Sequence, residues 1–396
     1  VGAQRKYAGR SLYNLLFVIK RDNFQEYFPD DNWENLRNKR KMYRRRIREG
    51  DVDLLKELDL ADLDAAEEIS RLKAQVNETK RQRDAAREKN VEYIAAIRAA
   101  LNELYDDVHI NPPNPRKLIP VSEGSPEAAV LVTSDWQLGK RTPTYDSQVC
   151  EQRVQLMAEK AIELGSLHAK IRPIEEIHLL LLGDMIEGEG IFPTQAHQID
   201  SSLFEQVGVN GPRILANLIG ELLNFYPKVH VVAVIGNHGA LKMQGSINPE
   251  TNMDRLLYQH VANLYANEPR VTWDIPQGNG ERNFYAVDNI RGHGFLLMHG
   301  DQVRGGITTF GPGVQRKTLG WVDAIPEEWK YLFMGHHHTP NMFTINKRQV
   351  RVNGSTESTN TYAQELALFG KPTQWLGFVN DSKGITAEYW LNLEEK

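Results

Sequence analysis

Residues 177–184 read IHLLLLGD. An apolar run this short, unbroken by polar positions and closed by a glycine and an acid, fits a strand buried on both faces better than a helix. Four other stretches repeat the pattern: AAVLVTSDW at 128–136, VHVVAVIGNHG at 229–239, GFLLMHGD at 294–301 and YLFMGHHHTP at 331–340. Each is rich in Val, Leu, Ile or Phe and ends on side chains able to hold a cation. Helical patterns separate the first three, at 148–171 and 213–226. Strands alternating with helices predict an α/β fold in layers. Open sheets of this kind carry their functional groups at the carboxyl ends of the strands.

Those ends supply Asp135 and Gln137, Asp184, Asn237 and His238, His299, and His336 and His338. A single GD or GNH tripeptide is an ordinary turn. Five strand ends in one chain, all offering oxygen or imidazole, point to a metal centre. If the last strand runs on through GHHH, residues i and i+2 share a face. His336 and His338 then turn toward the site and His337 turns away.

In this order SDWQ, GD, GNH, MHGD and GHHH resemble the calcineurin-like metallophosphoesterase superfamily, whose pattern runs D-x-H, G-D, G-N-H-[DE], H, G-H-x-H. Within it the chain is most similar to SbcD-type nucleases and phage-borne phosphoesterases. The resemblance implies a layered β-sandwich flanked by helices over residues 128–396. It also implies two divalent ions, Mn first, with Fe, Zn and Mg as alternatives. The first ion would take Asp135, Gln137, Asp184 and His338, and the second Asp184, Asn237, His299 and His336. Such a pair, roughly 3.5–4 Å apart, clamps the attacking and leaving oxygens of a phosphate ester. His238 takes the catalytic position. Arg304, Lys242 and His197 are candidate substrate contacts, each weighed against an ordinary loop residue. His178 and His230 read as structural.

Two positions depart from the family pattern. Gln137 stands where histidine is usual, and a neutral amide is a poorer ligand than imidazole. Gly239 replaces the acid after GNH, so any carboxylate that orients His238 must come from elsewhere.

The chain ahead of residue 128 reads as an all-helical region. Residues 1–50 carry a net charge of roughly +7 and residues 51–110 roughly −6. The first forms a basic helical module in which Trp33 and Tyr43 interleave with arginines, suited to a DNA backbone or simply a solvated face. In the second a 3-4 seam runs from Ile69 to Leu104 with a polar middle, a candidate coiled coil for a homodimer. Residues 111–127 are a Pro-rich linker. No apolar run is long enough to span a membrane, and VGAQRKYAGR has no signal-peptide pattern. The one cysteine, Cys150, permits no internal disulfide, in keeping with a cytoplasmic location.

The reading as a whole is a metal-dependent phosphodiesterase, first of all a DNA nuclease. One alternative is a phosphomonoesterase or small-molecule phosphodiesterase with a helical oligomerisation arm. Another is a catalytically weak binding or scaffold protein. SbcD-like enzymes work with an ATPase, but no segment here identifies such a contact.

Overall fold

The structure is a computed structural model. It describes residues 12, 14–49, 51, 71, 73–82, 95, 99, 124–191, 195–241, 251–276, 283–303, 310–357 and 370–394. They fall into two compact units, one within Val1–Lys89 and one within Asn90–Lys396.

The second unit contains two sheets. In the first, strands β1 (Glu127–Thr133), β2 (Ile174–Leu181), β3 (Val229–Ala233) and β4 (Val271–Asp274) run parallel. Strands β10 (Thr373–Asn380) and β11 (Gly384–Asn392) add antiparallel at the β1 side, giving the order β11-β10-β1-β2-β3-β4. The second sheet has the order β5-β6-β7-β9-β8. It is built from β5 (Tyr285–Ile290), β6 (His293–Met298), β7 (Tyr331–Met334), β8 (Asn341–Ile345) and β9 (Arg348–Val352).

Side chains alternate across these strands, and each face finds a cover. Val130, Val132, Leu180, Leu182 and Val232 of the first sheet meet Phe295, Leu297, Tyr331 and Phe333 of the second. The opposite face of the first sheet, with Leu131, Leu179, Leu181 and Val231, packs on helices Ser147–Ala169, Gly211–Phe225 and Met253–Leu264. The outer face of the second sheet, with Leu296, Met298, Leu332 and Met334, packs on the helix Phe310–Ala324 through Val314 and Trp321. The unit is therefore a two-sheet sandwich flanked by helices. Burial on both faces is why IHLLLLGD lacks alternation.

In the N-terminal unit a π-helical turn, Asn14–Val18, and the helix Trp33–Arg48 close a small core of Leu15, Leu16, Ile19, Leu36 and Tyr43. Asn32 caps the second helix, accepting the Asn35 N–H at 2.9 Å. The basic residues of that helix divide. Arg40 and Arg44 donate to the Leu16 and Ile19 carbonyls, closing the end of the first turn of structure. Arg45 and Arg46 pair with Glu49 and Asp51. Arg37, Lys41 and Arg48 are exposed.

Residues 73–82 are helical, with Val76 half-buried and Thr79 exposed. The rest of the seam lies outside the described residues, apart from single positions. So does the Pro-rich linker up to residue 123. No described helix is long and apolar enough to cross a membrane.

Candidate metal centre

The five motif ends converge at the carboxyl edge of the parallel strands. Asp135, Gln137, Asp184, His336 and His338 all have φ between 44° and 68°. Such left-handed backbone is strained for side chains with a Cβ, and it concentrates at functional sites. It also corrects the expected strand geometry: β7 stops at Met334, and the three histidines form a bend beyond it. His336 and His338 reach the site because both lie in the left-handed region, and not because they alternate along a strand.

The second ligand set is tightly drawn. His299 Nδ1 donates to the Leu182 carbonyl at 2.8 Å, so its Nε2 faces inward. That nitrogen lies 2.9 Å from Asp184 Oδ2, 3.0 Å from Asn237 Oδ1 and 3.2 Å from His336 Nδ1. Burial disfavours the charged imidazolium, but the Asp184 carboxylate outweighs it and raises the His299 pKa to about 9. A proton thus stands in for positive charge where buried oxygen and nitrogen ligands converge. This donor set fits a divalent ion. Asp184, His299 and His336 present ligand atoms within 4.8 Å of one another.

The first set is different. Asp135 is fully buried and lies 3.4 Å from His338 Nε2. Gln137 turns its amide nitrogen toward His338 Nε2, at 3.1 Å, and gives its oxygen to the Lys140 ammonium at 2.8 Å. Lys140 also pairs at 2.7 Å with the buried Glu357, which lies 3.4 Å from His338 Nδ1. Burial opposes the Glu357 charge, yet His338 and Lys140 hold its pKa at about 2. A lysine therefore sits where the chain carries Gln137 in place of histidine.

His238 lies behind Asn237. Its N–H donates to Asp184 Oδ1 at 2.7 Å, and its Nε2 is 4.0 Å from Asp184 Oδ2. His238 Nδ1 donates to the main-chain carbonyl of Glu187 at 3.0 Å, and the Glu187 carboxylate stands in for the acid absent at Gly239 as a charge, its Oε2 lying 3.2 Å from Nδ1. Gln195 holds Glu187 in turn, donating to both its carbonyl and its carboxylate. Gly239 also has a local reason. A Cβ there would collide with Asn252 Oδ1, at the cap of the helix Met253–Leu264.

Asp254, in the first turn of that helix, accepts the N–H groups of Asp184, Met185 and Gly236. It thereby ties the GD loop to the GNH loop. Glu187, Gln195, Asp254, Lys140 and Glu357 were not singled out from the sequence. The acid in GDMIEG was the one available signal. His197 is exposed on the 3-10 turn that carries Gln195. Arg304 and Lys242 lie outside the described residues.

The family model for calcineurin-like phosphoesterases matches residues 128–368, more than half of the chain. No curated protein matches it. Solved structures to which it is similar include Vacuolar Protein Sorting 29 from Cryptosporidium parvum, at 16% identity over 67% of this chain and 98% of that one, TM-score 0.32. An archaeal phosphodiesterase matches at 12% identity over 66% and 99%, TM-score 0.32. A hypothetical protein of Pyrococcus horikoshii OT3 matches at 16% over 68% and 89%, TM-score 0.35. With the family model running from β1 through β9 and taking in all five motif ends, the chain belongs to the calcineurin-like phosphoesterases, hydrolases of phosphate esters that depend on divalent metal ions.

Proposed function

We propose that the chain hydrolyses phosphodiester bonds in nucleic acid, DNA first, at a centre of two divalent ions, preferably Mn. Asp184, Asn237, His299 and His336 would hold one ion, and Asp135, Gln137, Asp184 and His338 the other. When bound, the ions supply Lewis acidity that draws charge from the phosphoryl oxygens and activates water. The protein's own contribution centres on His238. With Nδ1 on Glu187, its Nε2 is left to face the phosphate and give a proton to the leaving oxygen. Before any ion binds, Asp184 and Glu187 outweigh the cost of burial and raise the His238 pKa to about 9.

The observation that carries the nucleic-acid part is a stripe on the helix Trp33–Arg48. Arg37, Lys41 and Arg48 recur at i, i+4 and i+11, which is one helix face, and all three are exposed. Leu36, Tyr43 and Ile47 lie on a different face and pack into the core. Three cations spread along about 16 Å of helix suit a phosphate backbone.

The test is cleavage of single- and double-stranded DNA, RNA, an aryl phosphodiester and an aryl phosphomonoester by the full chain with Mn. DNA cutting is the expected result. Hydrolysis of the small esters with no cutting of any nucleic acid would establish the small-molecule alternative instead. Replacing Arg37, Lys41 and Arg48 together by Gln should lower the slope of log affinity against log salt by about 2–3.

Lys140 favours a second reading, in which the ion at the Gln137 set binds weakly and the chain is a slow catalyst. One tightly held ion per catalytic centre, with the second lost on gel filtration, would support it.

A further inference from the structure

We propose that His178, His230 and Asp288 form a separate cation site, for a borderline divalent ion of the zinc class, which pins the two sheets together at the end of the sandwich opposite the catalytic edge. His178 on β2 and His230 on β3 project from the face of the first sheet that meets the second, and Asp288 projects from β5 of the second. Their ligand atoms lie within 4.8 Å of one another. His178 is four residues back from Leu182, so the cluster lies about 13 Å along the strand from the edge that carries Asp184.

A structural ion pair would need only two of these groups. His178 Nδ1 and Asp288 Oδ2, 2.6 Å apart, already make one. The third member is what the pair leaves unexplained. His230 Nδ1 bonds Thr272 Oγ1 at 2.7 Å. With the proton assigned to that bond, Nε2 carries a lone pair, the arrangement that partner groups impose on metal-binding imidazoles. This Nε2 faces Asp288 Oδ1 across 4.0 Å, too far for a hydrogen bond. Two electron-rich atoms thus face each other over a gap that a cation would close.

The dimensions are suitable. Zinc–nitrogen and zinc–oxygen bonds near 2.0–2.2 Å place tetrahedral ligands about 3.3 Å apart. The close pair would open, and the 4.0 Å gap would shrink, each by less than about 1 Å. Two imidazoles and a carboxylate without thiolate match zinc among the common ions. The His230 side chain is 30% exposed, which gives the ion an entry path and leaves a fourth position for water. Glu176 Oε1, 3.7 Å from His178 Nε2, adds negative charge at the rim. The ion would replace the proton now shared by His178 and Asp288, releasing it to solvent.

The experiment uses the full chain stripped with a chelator and loaded with zinc alone. Zinc per chain is measured after gel filtration, together with the thermal midpoint. His230→Ala and Asp288→Asn should each hold one zinc fewer than wild type. Each should also lose a zinc-dependent rise of about 5 °C in midpoint. Mn-dependent hydrolysis of an aryl phosphodiester should be unchanged in both, since neither residue belongs to the catalytic centre. Thr272→Val keeps all three ligands and removes only the bond that orients His230. It should weaken zinc at this site about tenfold, and it decides the matter if either other variant misfolds. Wild-type zinc content and affinity in the folded variants would overturn the proposal.

Discussion

At the scale of single residues, the orientation of His238 is the most informative result. The sequence has glycine where an acid usually follows GNH, and the acid arrives instead from Glu187, 51 positions earlier. Glu187 acts through His238, so it is a positioning residue. Replacing it by Ala should lower kcat by about 10–100-fold while KM and metal content stay put. Gln at that position should restore little of the rate, because the Nδ1 bond to the main-chain carbonyl survives in every variant and the carboxylate charge is what is lost. A wild-type rate for Glu187→Ala would remove the role. Gln137 gives a complementary expectation. Gln137→His should tighten the ion at that set roughly tenfold, measured by calorimetric titration of Mn, since imidazole outcompetes a neutral amide as a ligand. Neither partner of these residues was legible in the sequence. Lys140 lies three positions from Gln137, but Glu357, which anchors it, lies 217 positions from Lys140.

Among the elements, the GD and GNH loops are tied together by the helix that follows them. The amino end of the helix Met253–Leu264 is driven into the site, and Asn252 and Asp254 serve both the helix and the two motif loops. Gly236 and Gly335 are required by close approach, since a Cβ at either would collide with Asp184 or Asp135. Burial first, and then the Asp184 charge, push the Asp254 carboxyl up to about 6. Asp254→Ala would orphan three buried N–H groups and should cost about 3 kcal/mol or more of stability in urea unfolding. It should also loosen metal binding, because the GD and GNH loops lose their common tie. The strands themselves were readable, since an unbroken apolar run can be satisfied only between two covered faces. The bend at GHHH was not. The left-handed backbone of His336 and His338 costs energy locally and is imposed by contacts such as the His336 N–H to Asp135.

For the molecule as a whole, the space between the sheets is not purely apolar. Arg351 on β9 is 2% exposed there and lies over the rings of Tyr331, Phe333 and Trp375. Its partner is Glu388 of the first sheet, at 2.7 Å. Burial opposes the Glu388 charge, but Arg351 wins and holds the carboxyl below its usual range. A depressed folded pKa means that this stabilisation is complete above the unfolded value near 4.5 and disappears as the pH falls through the folded one. Glu388→Gln should remove that part of the acid-side slope in stability. It should cost about 2 kcal/mol at neutral pH, less than a fully buried pair because Glu388 is 31% exposed. Cys150 offers a second global readout. It is fully buried in the first turn of the helix Ser147–Ala169, and burial pushes its thiol up to about 12. An aromatic disulfide reagent should leave it untouched in the native protein and label it only at the rate of unfolding. Labelling as fast as a free thiol would mean that the core opens locally.

The sequence by itself determined the layered α/β architecture and the motif residues at the strand ends, because apolar periodicity and short motifs are local properties of the chain. It also showed that the helix Trp33–Arg48 is basic, but which of its cations stay exposed was settled by the contacts of Arg40, Arg44, Arg45 and Arg46. Tertiary structure alone decided that Glu187 stands at His238, that Glu357 anchors the lysine beside Gln137, and that two strand histidines meet Asp288 between the sheets. Those pairings join positions 51, 217 and 110 residues apart. They are fixed by strand order and by which faces the two sheets turn toward each other, and no spacing within a single segment encodes that.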